Sequence, residues 1–269
     1  MKNNKIHQLA LFGNPVNHSL SPNIHQQFAE QFNVSIDYQL IKTTEKGFAK
    51  AVSLFFESGG IGANVTLPHK KNALSIVDKI SDRANCAQAV NTLFIDSEKN
   101  ICGDNTDGIG FICDLSKRCG FDCRNKNILI LGAGGATQGI VPEIILQNPK
   151  LLVIANRTLK KATTICQYEN STAMTFGQLN KSQQKFDLII HASSLGHRGK
   201  TLKFQKQHMN VDTVCYDLSY NEAAQPFLNY SKSLGTSKCF DGYGMLIEQA
   251  AYSFEQWFGF IPDTNNIKI

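Results

Sequence analysis

The sequence lacks the features of a membrane or secreted protein. No stretch approaches the roughly 18 consecutive apolar residues of a transmembrane helix, and the basic start is followed only by the short apolar run LALF. A secretory signal has a longer apolar region. We therefore expect a cytoplasmic protein that is not exported and has no membrane partner.

Patterns for metal ligation and disulfides are also missing. The chain has eight cysteines but no CxxC pair. Cys119 and Cys123 have the spacing of one helical turn, yet the segment CGFDC contains a glycine and no second pair of ligands follows. We predict no metal site, and we expect reduced thiols, as is usual in the cytosol.

Charge is sparse, because only 18% of the 269 residues are charged, with a net charge of +5. No basic stripe is interleaved with aromatic residues, so nucleic-acid binding has only the pI of about 8.7 in its favour. Small anionic ligands suit such a protein equally well. With 42% hydrophobic residues, the chain can form one large or two ordinary globular domains.

What is present is an alternation of short apolar runs with segments of helical periodicity. The predicted strands cover residues 8–13, 37–42, 61–67, 126–131, 151–156, 186–193 and 213–219, and the clearest helices cover 23–32, 44–60 and 244–260. This alternation is typical of α/β proteins with parallel sheets covered by helices. AVNTLFID followed by NICGDN predicts one hairpin.

The first predicted helix follows a pair of serines. Ser21, which precedes a proline, is predicted as its N-cap, and Ile24, Phe28 and Phe32 lie four residues apart on its apolar face. Hydroxyls and backbone N–H groups at a helix start suit a carboxylate. Ser19 and Ser21 are therefore candidate anion ligands.

A strand with two polar residues precedes a pair of lysines. In IGANVTLP, the period of two places Asn64 and Thr66 on one face, which predicts either a ligand wall or an ordinary half-exposed strand. Spacing alone does not choose between Lys70 and Lys71 as a functional lysine. Asp107, in GDNTDG before a helix, is either an N-cap or a catalytic acid.

The segment LGAGGAT has the context of a dinucleotide-binding turn. It follows a buried strand and opens a helix, where glycines let the backbone approach a diphosphate. Thr137 stands where the fingerprint has its third glycine, so a plain strand-turn-helix remains the alternative.

The next strand ends in ANRTLKK and discriminates between cofactors. It has no carboxylate for the ribose 2′-hydroxyl of NAD. It has Asn156, Arg157, Thr158, Lys160 and Lys161 instead, and arginine binds a 2′-phosphate well. A solvated basic helix start is the alternative, although cations are unfavourable at a helix N-terminus. The sequence predicts NADP.

The chain resembles the shikimate/quinate dehydrogenase family over nearly its whole length. The motifs GNPVNHSLSPNIH, GANVTLPHK, AVNTL, GDNTDG, GAGGA, NRT, YDLSYNEAAQPFL and DGYGMLIEQAA carry the resemblance, in the family's order. It implies an α/β fold with a cleft between an N-terminal substrate domain, 1–106, and a Rossmann-like, doubly wound NADP-binding domain, 107–243. The C-terminal helix, 244–269, would return to the first domain.

The resemblance also implies roles for individual residues. Lys70 and Asp107 match the catalytic pair. The substrate-binding positions are Ser19 and Ser21 for the carboxylate, Asn64, Thr66, Asn91 and Gln249 for the ring hydroxyls, and Tyr220 beside the substrate. The cofactor positions are Gly132, Ala133, Gly134, Gly135 and Ala136 at the diphosphate, Asn156, Arg157, Thr158 and Lys161 at the adenosine phosphate, and Gly242.

Some residues depart from the family's pattern, mostly on the cofactor side. Lys161 stands where a second arginine is common, and Gln138 where a basic residue is common. His191 replaces a usual asparagine, and Tyr243 a common leucine. His69 lies where the family accepts phenylalanine, so we expect it to be packed or exposed rather than catalytic.

The implied activity is the reversible reduction of 3-dehydroshikimate to shikimate with NADPH, in chorismate and aromatic amino-acid biosynthesis. A quinate enzyme using NAD is one alternative, although it would need an acid near Arg157. A non-catalytic NADP-binding regulator and a nucleic-acid binder are the others. We expect a monomer or a homodimer whose partners are the small-molecule substrate and NADP.

Overall fold

The computed structural model describes residues 5–268 of the chain. It divides into two compact units: residues up to Gly110 together with those from Ile247 onward, and Phe111–Leu246. Each unit contains a six-stranded sheet. No helix in the described range is both long and apolar enough to cross a membrane.

The first unit has a mixed sheet in the order β2-β1-β3-β5-β6-β4. Its elements are β1 (Ile6–Gly13), α1 (Ser21–Gln31), β2 (Ser35–Lys42), α2 (Phe48–Glu57), β3 (Gly60–Val65), β4 (Lys79–Ile80), α3 (Asp82–Ala87), β5 (Thr92–Ile95) and β6 (Ile101–Asp104). The antiparallel β5–β6 pair confirms the predicted hairpin. β3 also pairs antiparallel with β5, so this sheet is mixed, with parallel pairing of β1 to β2 and β3 and of β4 to β6.

The core of this unit explains why these segments fold as they do. Leu9 and Phe12 in β1 are fully buried, as expected for a central strand covered on both faces. Phe48, Val52 and Phe55 are the buried residues of α2, which confirms the predicted face of that helix.

Two helix starts differ from the sequence prediction. The N-cap of α1 is Leu20, with no side-chain capping bond, and Ser21 lies inside the first turn. α2 begins at Phe48 rather than at residue 44, because Thr44 and Gly47 close a separate turn: the Gly47 N–H donates to the Thr44 carbonyl at 3.1 Å. Phe32, the C-cap of α1, is 36% exposed, but its ring stacks on Phe254, which Phe28 also contacts, so the predicted apolar face continues to the end of the helix.

The second unit is a parallel, doubly wound sheet. Its elements are β7 (Asn127–Leu131), α5 (Gly135–Leu146), β8 (Leu151–Ala155), α6 (Leu159–Ile165), β9 (Ser171–Met174), α7 (Phe176–Lys181), β10 (Phe186–His191), β11 (Met209–Asp217), α8 (Gln225–Ser233) and β12 (Cys239–Phe240). α4 (Asp107–Lys117) leads into it, and α9 (Tyr243–Phe258) leads out. The order β12-β11-β10-β7-β8-β9, parallel throughout, is that of a Rossmann fold.

Both faces of this sheet are apolar. Ile128, Ile130 and Ile154 belong to the cluster on one face, while Leu129 and Val153 belong to the cluster on the other. Continuous burial of neighbouring residues explains why these strands have apolar runs rather than alternating patterns. The doubly wound α/β fold predicted from the sequence is confirmed.

Candidate active site

The central feature of the first unit is an ion pair between Lys70 and Asp107. The Lys70 ammonium nitrogen lies 2.5 Å from Oδ2 of Asp107, and their side chains are 28% and 11% exposed. The Lys70 carbonyl accepts the Val90 N–H at 2.8 Å, which fixes the backbone below the ammonium group. Lys71 is exposed. The two lysines therefore differ in their surroundings, and only Lys70 matches the catalytic lysine of the family motif.

The residue before Lys70 is an anchor. His69 is fully buried, its ring stacks on Phe48 with centroids 4.6 Å apart, and Nε2 lies 2.9 Å from the Thr43 hydroxyl. Of the two expectations for His69, packing is confirmed and exposure is wrong. Its burial holds the chain where Lys70 emerges.

Asp107 is held from its other side. It opens α4, where a carboxylate is stabilised by the helix dipole. The Asn91 amide donates to Oδ1 of Asp107 at 2.8 Å, and Gln249 Oε1 lies 3.3 Å from the same Asn91 nitrogen. Four predicted site residues, Lys70, Asp107, Asn91 and Gln249, thus form one connected cluster. The aspartate both occupies the first turn of a helix and binds the lysine.

Asn64 is the deepest of the predicted substrate residues. Its Oδ1 accepts the Tyr38 hydroxyl at 2.8 Å and faces His25 Nε2 at 3.1 Å, while its amide donates to the Ser253 hydroxyl at 3.0 Å and to the Asn91 carbonyl at 3.3 Å. Protein groups already use this side chain, so its contact with a ligand stays a prediction.

The half-exposed strand considered from the sequence is wrong. β3 lies between β1 and β5, and Ala63, Asn64 and Val65 are all buried. β3 ends at Val65, so Thr66 lies beyond the strand and is only partly buried. The Thr66 N–H still donates to the Phe12 carbonyl at 2.9 Å, so the chain continues along β1 beyond the end of β3. The shared face of Asn64 and Thr66 stays a prediction.

Ser19 and Ser21 are held together by hydrogen bonds at the start of α1. The Ser19 hydroxyl lies 3.1 Å from that of Ser21 and accepts the Ser21 N–H at 3.2 Å. Tyr38, also beside Ser21, was missed in the sequence; burial raises the pKa of its phenol. His25 was noted as a possible acid–base group but was given no role, although it lies one helical turn after Ser21, on the buried face of α1. The four-residue spacing from Ser21 to His25 indicates that both residues lie on the same face of the helix.

The glycine turn of the second unit has the backbone geometry expected for a dinucleotide site. Gly132 has φ 114°, and a Cβ there would lie 2.7 Å from the Ala192 carbonyl oxygen. Gly134 and Gly135 would meet nothing within 4 Å, so a ligand could approach their backbone. Thr137 is fully buried and donates to the Gly132 carbonyl at 3.0 Å, which braces the turn where the fingerprint has a third glycine.

The basic segment lies beside that turn. Ala155, the last residue of β8, accepts the Gly132 N–H at 2.8 Å. Asn156 then donates to the Thr158 carbonyl at 2.9 Å. Arg157, Lys160 and Lys161 are exposed, and none of them forms an ion pair with a described residue. The arrangement offers cationic groups next to a turn suited to diphosphate.

Two further predicted residues lie together in the second unit. Tyr220 is partly buried, which raises the pKa of its phenol. A Cβ on Gly242 would lie 2.3 Å from the Leu218 carbonyl oxygen, and the Gly242 N–H donates to the Ser219 carbonyl at 2.8 Å. Only glycine fits this approach. Residues 5–268 contain no cluster of three or more side chains able to hold a metal ion.

Comparison with known proteins shows which family the chain resembles. Family profiles match residues 11–93 (shikimate dehydrogenase substrate binding domain), 114–214 (shikimate / quinate 5-dehydrogenase) and 242–268 (shikimate 5'-dehydrogenase C-terminal domain). A curated shikimate dehydrogenase (NADP(+)) from Coxiella burnetii is 43% identical over 96% of each chain.

Solved structures give the same result over the whole fold. An Ael1 enzyme from Pseudomonas putida has a TM-score of 0.89 at 32% identity, covering 98% of each chain. A shikimate 5-dehydrogenase from Thermus thermophilus, in complex with NADP(H) and shikimate, has a TM-score of 0.85 at 27% identity, covering 97% of each chain. These matches confirm the resemblance found in the sequence, and the chain belongs to the shikimate dehydrogenase family.

Proposed function

We propose that this chain is an NADP-dependent shikimate dehydrogenase whose proton-transfer centre is Lys70 with Asp107. The enzyme is an oxidoreductase that reversibly reduces 3-dehydroshikimate to shikimate, in chorismate and aromatic amino-acid biosynthesis. The observation that carries the catalytic assignment is the 2.5 Å ion pair of a partly buried lysine with an acid held by Asn91. The relatives named above support the reaction.

The reaction requires stabilisation of the negative charge that develops on the substrate carbonyl oxygen. NADPH supplies the hydride. As hydride reaches the carbonyl carbon, negative charge grows on its oxygen, and the Lys70 ammonium group stabilises that charge and donates the proton. Asp107 keeps the ammonium group in place and accepts a hydrogen bond from a ring hydroxyl. Acid–base assistance of this kind is worth about 10²–10⁴-fold in rate.

We assign the substrate to the first unit. Ser19 and Ser21, with the N-terminus of α1, suit its carboxylate. The ring hydroxyls are assigned to side chains around the ion pair, namely Asn64, Thr66, Asn91 and Gln249. Tyr220 is assigned to the substrate on the family resemblance alone. The connected hydrogen bonds from Asn91 to Asp107 and Gln249 support a single polar site. The unit boundaries at Gly110 and Leu246 suggest domain limits close to 1–106 and 107–243.

We assign the cofactor to the second unit. The turn formed by Gly132, Ala133, Gly134, Gly135 and Ala136 would hold the diphosphate. Asn156, Arg157, Thr158 and Lys161 would hold the adenosine phosphate, and Gly242 would approach the cofactor through its backbone. The exposed cations after β8, and the absence of an acid from ANRTLKK, favour NADP over NAD.

Initial rates with shikimate and NADP, compared with quinate and NAD, test the function. We expect turnover with the first pair and little with the second. Lys70→Ala should lower kcat by about 10²–10⁴-fold with a much smaller change in KM, whereas Lys71→Ala, the matched control, should leave both unchanged. Near-wild-type kcat in Lys70→Ala would overturn the catalytic assignment. NADPH binding without any turnover would favour the regulator alternative.

We also infer a monomer or homodimer that works in the cytoplasm. Its eight cysteines are all free thiols, which suits a reducing compartment. Light scattering after size-exclusion chromatography would give the oligomeric state.

A further inference from the structure

His191, one of the departures from the family pattern, lies at the centre of a buried hydrogen-bond chain. It is the last residue of β10, is fully buried, and stacks on Phe227 with ring centroids 4.9 Å apart. Its Nδ1 lies 2.8 Å from Oδ2 of Asp217. Its Nε2 lies 2.9 Å from the Ser193 hydroxyl oxygen and 3.4 Å from the Leu202 backbone nitrogen.

These partners determine which ring nitrogen carries hydrogen. A carboxylate only accepts and a backbone N–H only donates. Nδ1 therefore carries the hydrogen toward Asp217, and Nε2 presents its lone pair to Leu202 and Ser193. The Ser193 hydroxyl then donates to His191, and its oxygen already accepts the Leu195 N–H at 3.4 Å, so one lone pair of that oxygen is left for a further donor.

The residues after His191 lie against the glycine turn. Ala192 donates its N–H to the Leu131 carbonyl at 3.0 Å. A Cβ on Gly132 would lie 2.7 Å from the Ala192 carbonyl oxygen and 3.7 Å from Ser193 Cβ. β7 and β10 are adjacent strands at the point where the strand order reverses, and ligands of such sheets bind outside the carboxyl ends of the strands at this point.

We propose that His191 is a positioning residue for the cofactor: with Asp217, it holds Ser193 beside the glycine turn as a hydrogen-bond acceptor for a ribose hydroxyl next to the diphosphate. The inference rests on the proposed function, since it requires a dinucleotide at this turn. The asparagine that is usual in the family has a shorter side chain, so it should support Ser193 less well than histidine does here.

The test uses four single variants of the full chain and the double variant His191→Phe/Ser193→Ala. His191→Phe keeps a ring that can stack on Phe227 but removes both nitrogens, and His191→Asn restores a donor and an acceptor. Ser193→Ala removes the proposed ligand, and Ser194→Ala changes its exposed neighbour as the matched control. NADPH affinity is measured directly from its fluorescence without shikimate, and kcat, KM for NADP and the thermal midpoint are measured beside it.

We expect His191→Phe and Ser193→Ala each to weaken NADPH binding by about 3- to 10-fold, the effect of one hydrogen bond. His191→Asn should lie between them and wild type, and Ser194→Ala should match wild type. KM for NADP should rise while kcat at saturating NADP changes little. Because both residues act through one contact, the double variant should bind no more weakly than Ser193→Ala alone.

Wild-type NADPH affinity in Ser193→Ala would overturn the inference, whether or not His191→Phe folds stably. So would fully additive losses in the double variant. If the wild-type protein turns over shikimate with NADP but these variants bind NADPH normally, the proposed function stands. Only the role of His191 is then removed. A wild-type protein that does not bind NADPH would instead remove the proposed cofactor.

Discussion

The Asn91 side-chain amide donates to Oδ1 of Asp107 at 2.8 Å, on the oxygen opposite the one that Lys70 approaches. The carboxylate is therefore held between an amide and an ammonium group. Its position depends on Asn91 as much as on its own helix. Asn91 also accepts the Thr106 N–H at 2.9 Å, which connects it to the chain just before Asp107.

Replacing Asn91 should therefore impair catalysis through Asp107. We expect Asn91→Ala to lower kcat by up to about 10²-fold, the usual effect of a small misplacement of catalytic groups, and to destabilise the first unit because buried partners lose their bonds. Steady-state kinetics and thermal unfolding would measure both. Asn85→Ala, an exposed change on α3, is the control, and equal kcat in the two variants would contradict the prediction.

His25 should make the protein sensitive to acid. Burial lowers its pKa from 6.5 to about 3, opposed by its hydrogen bond to Asn64. Between these values the unfolded chain takes up a proton that the native protein does not, so the free energy of unfolding falls as pH falls below 6.5. The loss attributable to His25 is about 1.4 kcal/mol per pH unit.

Urea unfolding between pH 6.5 and 4.5 would test this pH dependence. We expect His25→Gln, which keeps a donor for Asn64, to lose less stability on acidification than wild type. His18→Gln, at an exposed histidine, should follow the wild-type curve. The lowered pKa values of His7 and His208 affect all three proteins alike. Parallel curves for wild type and His25→Gln would contradict the assignment.

Arg118 should stabilise the second unit through a buried carboxylate. Its Nε and Nη2 donate to Asp114 at 2.8 and 2.7 Å, and the Tyr216 hydroxyl donates to the same carboxylate at 2.6 Å. Asp114 is 3% exposed and Arg118 35%. Arg118→Leu leaves that charge without its cation, so we expect a loss of roughly 3 kcal/mol, the lower end for buried pairs.

Denaturant unfolding would measure this loss, and adding Asp114→Asn to Arg118→Leu should recover part of it. Lys238→Leu breaks an exposed ion pair with Asp212 and should cost less than about 1 kcal/mol. A similar loss in the Lys238 and Arg118 variants would show that burial of Asp114 does not matter.

The two ends of the glycine turn should respond differently to alanine. Gly132→Ala forces a side chain into φ 114° and against the Ala192 carbonyl, so we expect it to destabilise the protein by roughly 1–3 kcal/mol. Gly135→Ala lies at the start of α5 in open space and should be neutral or stabilising, so any loss of NADPH affinity reports on ligand approach. Thermal unfolding and NADPH titration distinguish the two, and equal destabilisation would be inconsistent with this geometry.

Local features of the chain were predictable because a few neighbouring residues determine them. Apolar runs predicted β7 and β8, and the period of Phe48, Val52 and Phe55 predicted the buried face of α2. The glycine turn followed from a strand and helix on either side of LGAGGAT. The choice of Lys70 over Lys71 did not follow from spacing; it came from the family motif and agrees with the ion pair in the structure.

Side-chain partners far apart in sequence were not predictable. Asn64 bonds to Ser253, 189 residues away, and Tyr216 bonds to Asp114, 102 residues away. No local pattern encodes such pairs, because packing of distant elements creates them. The predicted strand 61–67 extends two residues beyond the observed end of β3 at Val65 for the same reason, since pairing with neighbouring strands decides where a strand ends.

By itself, the sequence determined the class of fold, the place of the glycine turn and the residue types available for proton transfer. Hydrophobic periodicity and glycine conformation depend on a few neighbouring residues, so they can be predicted from the sequence. Only the tertiary structure decided that Asn91 holds Asp107, that Thr137 braces the turn and that His191 directs the Ser193 hydroxyl. Those choices depend on the distance and direction of hydrogen bonds, which exist only once the elements have packed.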